Sequence, residues 1–156
     1  MGIGFQRSVG VNDTVEREAP SSMAWRMWAW VDSHGRTAKS KVFIYTFARP
    51  APPGDPESGR SHHGAELPYV FHNLYLFHHE WADLDRELET MISSYWINFA
   101  TTGDPNGGRL PQWPAYTTAQ RDRVMMLGDK VEMGRCRLDQ AKIALFDAYY
   151  NQMLSH

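Results

Sequence analysis

Histidines cluster in one part of this sequence, where their side chains offer acid–base or metal-binding chemistry. His63 and Glu66 are three positions apart, which would place two potential ligands one turn apart on a helix. Zinc sites need a recognisable ligand set, however, and the single cysteine, Cys136, is remote in sequence. We therefore interpret the cluster as polar loop histidines and predict no metal site. Its members are His62, His63, His72, His78 and His79.

A histidine that acts as a base in hydrolysis needs a nucleophile, and this sequence contains no recognisable nucleophile motif. The pattern Gly-x-Ser-x-Gly, in which a sharp strand-to-helix turn exposes a serine, does not occur. Ser93 and Ser94 fall within a predicted helix, and Ser58-Gly59 lacks the strand-turn-helix context. The sequence thus shows no serine nucleophile of this kind.

The elements that must position these histidines begin with a buried strand. Residues 42–47 form a β-branched and aromatic run without polar alternation, which predicts a strand covered on both faces, as in a parallel sheet. A loop rich in proline then excludes regular structure as far as about Arg60. Its breakers are Pro50, Pro52, Pro53, Gly54 and Pro56.

Helical spacing predicts a helix on each side of this strand. The first runs from Ser21, a candidate N-cap, to about Ser33, and Gly35 ends it. The second begins near Glu80 and ends at the breakers of residues 103–108. The predicted apolar stripes are Ala24, Met27, Trp28 and Val31 in the first helix, and Trp81, Leu84, Leu88, Met91, Tyr95 and Phe99 in the second. The polar face of the second is predicted to contain Asp83, Asp85, Arg86, Glu87 and Glu89.

The remainder of the chain predicts a small hairpin over about residues 123–133 and an amphipathic C-terminal helix. Residues 1–19 show neither periodicity nor a helix cap. One buried strand cannot form a parallel sheet, because each parallel neighbour requires a crossover unit of about thirty residues. We therefore expect an incomplete α/β fold whose other strands are encoded upstream of Met1. The apolar positions of the C-terminal helix are Leu138, Ala141, Leu145, Tyr149 and Met153.

Composition excludes several classes of protein. The chain has 156 residues, 42% of them apolar and 22% charged, which is ordinary for one globular domain. Its net charge of -2 comes without a basic stripe, so nucleic acid is not an expected partner. No apolar run approaches the roughly 20 residues that span a bilayer, and the first residues show no signal peptide. The sequence does not indicate the compartment: the complete protein could be cytoplasmic or secreted.

Several blocks, in order, resemble the type B carboxylesterases, the α/β-hydrolase group that includes para-nitrobenzyl esterases and cholinesterases. The resemblance covers roughly residues 22–154. It rests on VFIYTF followed by HGAELPYVF, then on YWINFATTGDPN, PQWPAY and the closing amphipathic helix. His72 departs from it, because these esterases usually carry a glycine after the Tyr-Val-Phe.

On this resemblance, His63 matches the catalytic histidine of a Ser-His-Asp/Glu triad that hydrolyses carboxylic esters through an acyl-enzyme. Glu66 would steady the loop by accepting hydrogen bonds at the start of a short helix. The triad order of this fold places serine and acid before histidine, so this chain would supply only the base. Asp32, Asp55 and Glu57 precede His63, but none follows an earlier sheet strand, as the acid of these enzymes does.

The resemblance implies a small-molecule carboxylic ester as substrate and no cofactor. Residues 21–156 would form the C-terminal portion of an incomplete hydrolase domain, residues 1–20 would be an unplaced segment, and the missing N-terminal portion would be the partner. The alternative is a catalytically inactive hydrolase-like remnant, an interaction module, or a truncated reading frame without activity.

Overall fold

The computed structural model describes residues 2–6, 20–135, 144 and 146–147. The predicted C-terminal helix lies outside the described residues, except that residues 144, 146 and 147 are helical.

The regular elements alternate between strands and helices. In chain order they are β1 (Gly2–Gln6), α1 (Pro20–Thr37), β2 (Phe43–Phe47), α2 (Leu67–Val70), α3 (Asp83–Thr102), β3 (Arg123–Leu127) and β4 (Val131–Arg135).

The four strands form one mixed sheet in the order β1-β2-β3-β4. β1 and β3 both pair in parallel with β2, and β4 closes an antiparallel hairpin on β3. The predicted hairpin is confirmed. The expectation that β2 would find no partners in this chain is wrong, because Ile3 lies opposite Ile44 in β1, and Tyr45 lies opposite Met125 in β3. β1 carries no local pattern, and pairing between distant segments is not visible in local sequence.

β2 is buried on both faces, as its sequence predicts. Phe43, Tyr45 and Phe47 belong to a core cluster with residues of α3, whereas Val42 and Ile44 belong to a second cluster. That second cluster includes two residues of the predicted α1 stripe, Trp28 and Val31. The sheet is therefore packed between α1 and α3.

α1 continues past the glycine that was predicted to end it, and stops at Thr37. A Cβ atom at Gly35 would lie 3.1 Å from the ring of Tyr116. Gly35 thus provides room for a packed aromatic ring, and the prediction of a helix end there is wrong.

α3 confirms the second predicted helix, and Gly103 ends it with a left-handed φ of 77°. Two of the acidic residues predicted on its polar face, Asp85 and Glu89, are instead buried. Glu89 accepts a hydrogen bond from the Leu74 amide at 2.9 Å. Both carboxylates are buried because groups outside the helix bind them, which helical periodicity cannot reveal.

The chain leaves α2 through a residue in an unusual conformation, two positions after the helix ends. His72 has a φ of 53°, the left-handed region that favours glycine. The amide of Asn73 donates to the carbonyl of Pro68 at 3.0 Å, the bond of a Schellman helix end. Glycine, which the resemblance leads us to expect at this position, would adopt this φ without strain.

We predict that His72→Gly stabilises the protein by about 0.5–1 kcal/mol, because it relieves the left-handed strain and loses only a 3.3 Å contact with the Ser93 hydroxyl. The free energy of unfolding from denaturant titration is the measurement. His78→Gly is the matched control and should give no gain, because His78 is exposed and has no positive φ. A loss of stability in His72→Gly would contradict the prediction.

Candidate functional site

His63 lies exposed beside a cavity of about 340 Å³, in the loop that follows β2. The histidine-rich segment divides here: three of its histidines line the cavity, and His72 and His78 do not. The lining residues that bear on the site's chemistry are Asp55, His62, His63, Gly64, His79 and Trp81. We call this space the His63 cavity.

Backbone and buried hydrogen bonds fix the loop that carries His63. Gly64 has a φ of 81°, which turns the chain directly after the histidine. The amide of Ala65 donates to the carbonyl of His62 at 3.2 Å. The buried Ser61 hydroxyl donates to the Phe47 carbonyl at 3.1 Å, so the loop is tied to the end of β2.

The proline-rich segment between β2 and this loop closes on itself. The amide of Ala51 donates to the carbonyl of Arg60 at 2.9 Å, and the amide of Gly59 donates to the carbonyl of Ala51 at 3.0 Å. These bonds bring the two ends of a roughly ten-residue loop together beside the His63 cavity.

Asp55, at the tip of this closed loop, faces two of the cavity histidines. Its carboxylate oxygens lie 3.7 Å from Nε2 of His62 and 3.6 Å from Nε2 of His79. The ring of His63 makes no hydrogen bond or ion pair within the part of the chain that the structure describes. Sequence analysis excludes Asp55 as the triad acid and does not predict this contact with two other histidines.

Glu66 lies at the start of α2, but its side chain makes no capping bond. The backbone carbonyl of Glu66 accepts the amides of Tyr69 and Val70, each at 3.0 Å, so the loop is steadied there by main chain. Burial, together with the charge and hydrogen bond of Glu66, raises the pKa of Tyr45. The Glu66 carboxylate thus lies close to the core residue Tyr45 of β2, and the expected capping contact is absent.

Below the cavity, the buried carboxylate of Asp85 joins three elements. Arg49, just after β2, approaches it through Nε at 2.6 Å and Nη2 at 3.1 Å. The hydroxyl of Tyr69 in α2 donates to it at 2.9 Å, and the amide of Ala82 before α3 donates at the same distance. Arg49 also reaches Asp129 in the hairpin turn at 2.7 Å.

These contacts set the charge state of Asp85. Burial alone would raise the pKa of its carboxyl, but the hydrogen bonds from Arg49, the Ala82 amide and Tyr69 outweigh burial and lower that pKa. Sequence analysis placed Asp85 on a solvated helix face. Its position three residues after Ala82, where a carboxylate can bind the first free amide of a helix, was the available signal.

No group of three or more histidine, cysteine or acidic side chains in the described residues is arranged to hold a metal ion. Likewise, within the described ranges no helix is both long and apolar enough to cross a membrane.

Comparison with known proteins matches most of the chain to one family. A family model described as "Carboxylesterase family" matches residues 14–146. Carboxylesterase 4A of Bos taurus is 34% identical over 82 residues, covering 51% of this chain and 15% of that protein. Liver carboxylesterase 1 of Oryctolagus cuniculus is 36% identical over 89 residues, covering 55% of this chain and 16% of that protein.

Solved esterase structures share the fold. A thermophilic PNB esterase superposes with a TM-score of 0.55 at 28% identity, covering 66% of this chain and 22% of that one. A carboxylesterase of Geobacillus stearothermophilus gives a TM-score of 0.57 at 25% identity, covering 73% of this chain and 23% of that one. The predicted α/β-hydrolase fold class is confirmed, and the chain spans less than a quarter of the length of each protein named.

We predict that Asp85→Asn lowers the free energy of unfolding at pH 7 by about 3 kcal/mol, because it leaves Arg49 without its buried partner. The lowered pKa of Asp85 has a second consequence. The carboxylate stabilises the fold above its unfolded pKa of about 3.9, and that contribution disappears as pH falls below 4 through the folded value. The variant should therefore lose less stability than the wild type between pH 5 and pH 2, as measured by denaturant titration at each pH.

Asp83→Asn is the matched control, since Asp83 is exposed in the first turn of the same helix. It should cost about 0.3–1 kcal/mol through the helix dipole alone. Equal losses in the two variants would contradict the buried network.

Proposed function

Because the chain belongs to the carboxylesterase family, we propose that it forms the C-terminal portion of a carboxylic ester hydrolase in which His63 is the general base. The serine nucleophile and the acid of the triad belong to the N-terminal portion of the complete domain, which is the partner of this chain. The substrate is a small-molecule carboxylic ester, and the reaction needs no cofactor. The domain boundary at residue 20 remains a prediction.

The observation that carries this proposal is the free ring of His63 at an open cavity. A triad histidine must use both ring nitrogens: Nε2 takes the serine proton, and Nδ1–H donates to the acid. Because the His63 ring makes no hydrogen bond or ion pair with described residues, both nitrogens are available for groups supplied by the rest of the domain.

The adjacent histidine is less suited to this role. Nδ1 of His62 lies 3.2 Å from the His63 carbonyl, and its Nε2 faces Asp55. Both nitrogens of His62 are therefore engaged by groups of this chain. His63, not His62, is the residue free to move a proton between serine and leaving group.

The chemistry follows from this arrangement in two stages. In acylation, His63 accepts the serine proton as the serine oxygen attacks the ester carbonyl, and then gives that proton to the leaving alcohol. In deacylation, His63 takes a proton from the water that attacks the acyl-enzyme, and it returns a proton to the serine oxygen as the carboxylic acid leaves. The exposed position of His63 next to the cavity allows substrate to reach it.

The alternative is an inactive remnant of a hydrolase that retains the fold without the reaction. The two hypotheses differ in one respect that can be tested: whether His63 supports turnover when nucleophile and acid are present.

We predict that the 156-residue chain alone hydrolyses para-nitrophenyl acetate no faster than its His63→Ala variant, because an imidazole without a positioned nucleophile or oxyanion donors stabilises the transition state little. The measurement is the release of para-nitrophenolate, followed by its visible absorbance. Turnover that disappears when one of this chain's serines is replaced would contradict the account of a missing nucleophile.

The base itself is tested in a chimera, in which residues 21–156 replace the matching region of a PNB esterase. We predict that the chimera hydrolyses para-nitrophenyl acetate and that His63→Ala lowers its kcat at least about a thousandfold. The matched control, His62→Ala, should lower kcat by less than about tenfold, since His62 acts only through the loop.

A larger effect of His62→Ala than of His63→Ala would show that the base is the preceding residue. A chimera that is folded by circular dichroism but inactive would instead favour the inactive remnant.

A further inference from the structure

The cavity contains a second arrangement that the proposed reaction does not use directly, the carboxylate of Asp55 between the rings of His62 and His79. All three side chains are largely buried, with exposed fractions of 17% for Asp55, 30% for His62 and 18% for His79. The two contacts join the proline-rich loop, the His63 loop and the segment before α3. At 3.6 and 3.7 Å they are electrostatic contacts, longer than hydrogen bonds.

Asp55 is held in place independently of these histidines. One of its carboxylate oxygens accepts the amide of Glu57 at 2.7 Å. Its own amide donates to Pro52, and its carbonyl accepts the amide of Ser58. Gly54, with a φ of 91°, turns the loop just before it. The loop therefore presents the carboxylate in a fixed position.

Both nitrogens of the His62 ring face groups of this chain. Nδ1 lies 3.2 Å from the carbonyl oxygen of His63 in the same loop, and Nε2 lies 3.7 Å from the carboxylate of Asp55. The His62 ring therefore links Asp55 to the backbone of the residue that carries the proposed base.

The surroundings of His79 are matched by one tautomer. Its Nδ1 is buried and has no hydrogen-bond partner among the described residues, so a proton there would be unsatisfied. A neutral ring with its proton on Nε2 faces Asp55 with N–H and leaves only a lone pair buried. The rings of Phe77, stacked at 6.2 Å, and Trp81, edge-on at 5.4 Å, fix its orientation.

The other charged groups near the cavity do not compete for Asp55. Arg49 is bound by Asp85 and Asp129, and Arg60 pairs with Glu57. The remaining titratable groups on the neighbouring segments are Glu66, which is half-buried, and His63, His78 and Glu80, which are exposed.

We propose that Asp55 is a positioning residue for His63: its carboxylate contacts Nε2 of His62 and the Nε2–H form of His79, and so fixes the His63 loop against the segment before α3. This inference rests on the proposed function for its catalytic consequence, but the contact itself does not. His62 and Asp55 then share one task, which is to hold the His63 loop in place.

The contact is tested first in the 156-residue chain by nuclear magnetic resonance. Long-range nitrogen–proton correlation should show His79 with its proton on Nε2, which requires no variant. Asp55→Asn should then accelerate hydrogen exchange of the Ala65 amide, which bonds to His62, by about fivefold to tenfold. The matched control is Asp122→Asn, whose exposed carboxylate pairs with Arg135, and it should leave that exchange rate unchanged.

The catalytic consequence is tested in the esterase chimera. Asp55→Asn should lower kcat about tenfold with KM unchanged, because a misplaced base slows the chemical step without weakening substrate binding. Asp55→Glu, which keeps the charge, should recover part of the loss.

His79 protonated on Nδ1, or unchanged Ala65 exchange in Asp55→Asn, would overturn the contact. A confirmed contact with unchanged kcat, or a rise in KM alone, would overturn the positioning role. An inactive wild-type chimera would count against the proposed function, and the magnetic resonance result would still decide whether Asp55 binds the two histidines.

Discussion

The site depends on the hydrogen bonds and the ion pair that the buried carboxylate of Asp85 makes. This carboxylate draws Arg49 from the end of β2, Tyr69 from α2 and the start of α3 to one point. Arg49 and Tyr69 themselves line the His63 cavity. A carboxylate with a side chain 2% exposed is stable only because several donors satisfy it. The His63 loop lies between β2 and α2, so its two ends are fixed by the same charge.

The histidines near this network divide by their partners. His62 and His79 face Asp55, whereas His63 makes no hydrogen bond or ion pair with the described residues. A catalytic base must keep its nitrogens free for reacting groups, and a structural histidine gives its nitrogens to the fold. The division therefore supports the proposal that His63, and not His62, is the base.

Local sequence predicted the parts of this fold that depend on local patterns. β2, α3 and the hairpin follow from an apolar run, a helical stripe and two short strands around Gly128. β1 was missed because its pairing joins residues about forty positions apart. The sequence predicts too early an end for α1, at Gly35. That glycine makes room for the ring of Tyr116, a contact between distant segments that local sequence does not reveal.

The site shows the same limit. His63 was identified by its resemblance to a family, and its exposed place beside the cavity is consistent with that role. Asp85 looked like a surface residue because only the folded chain brings Arg49 and Tyr69 to it. Asp55 was set aside as a triad acid, and its two histidine contacts depend on how the proline-rich loop closes.

The central claim, that His63 is the free base and His62 is not, is tested most directly by chemical modification of the active chimera. Diethyl pyrocarbonate acylates neutral, accessible imidazole, and peptide mass spectrometry locates the modified ring. The account predicts that loss of activity follows modification of His63 and that a bound ester analogue protects this residue. Activity that survives full modification of His63, or that falls only as His62 is modified, would contradict it.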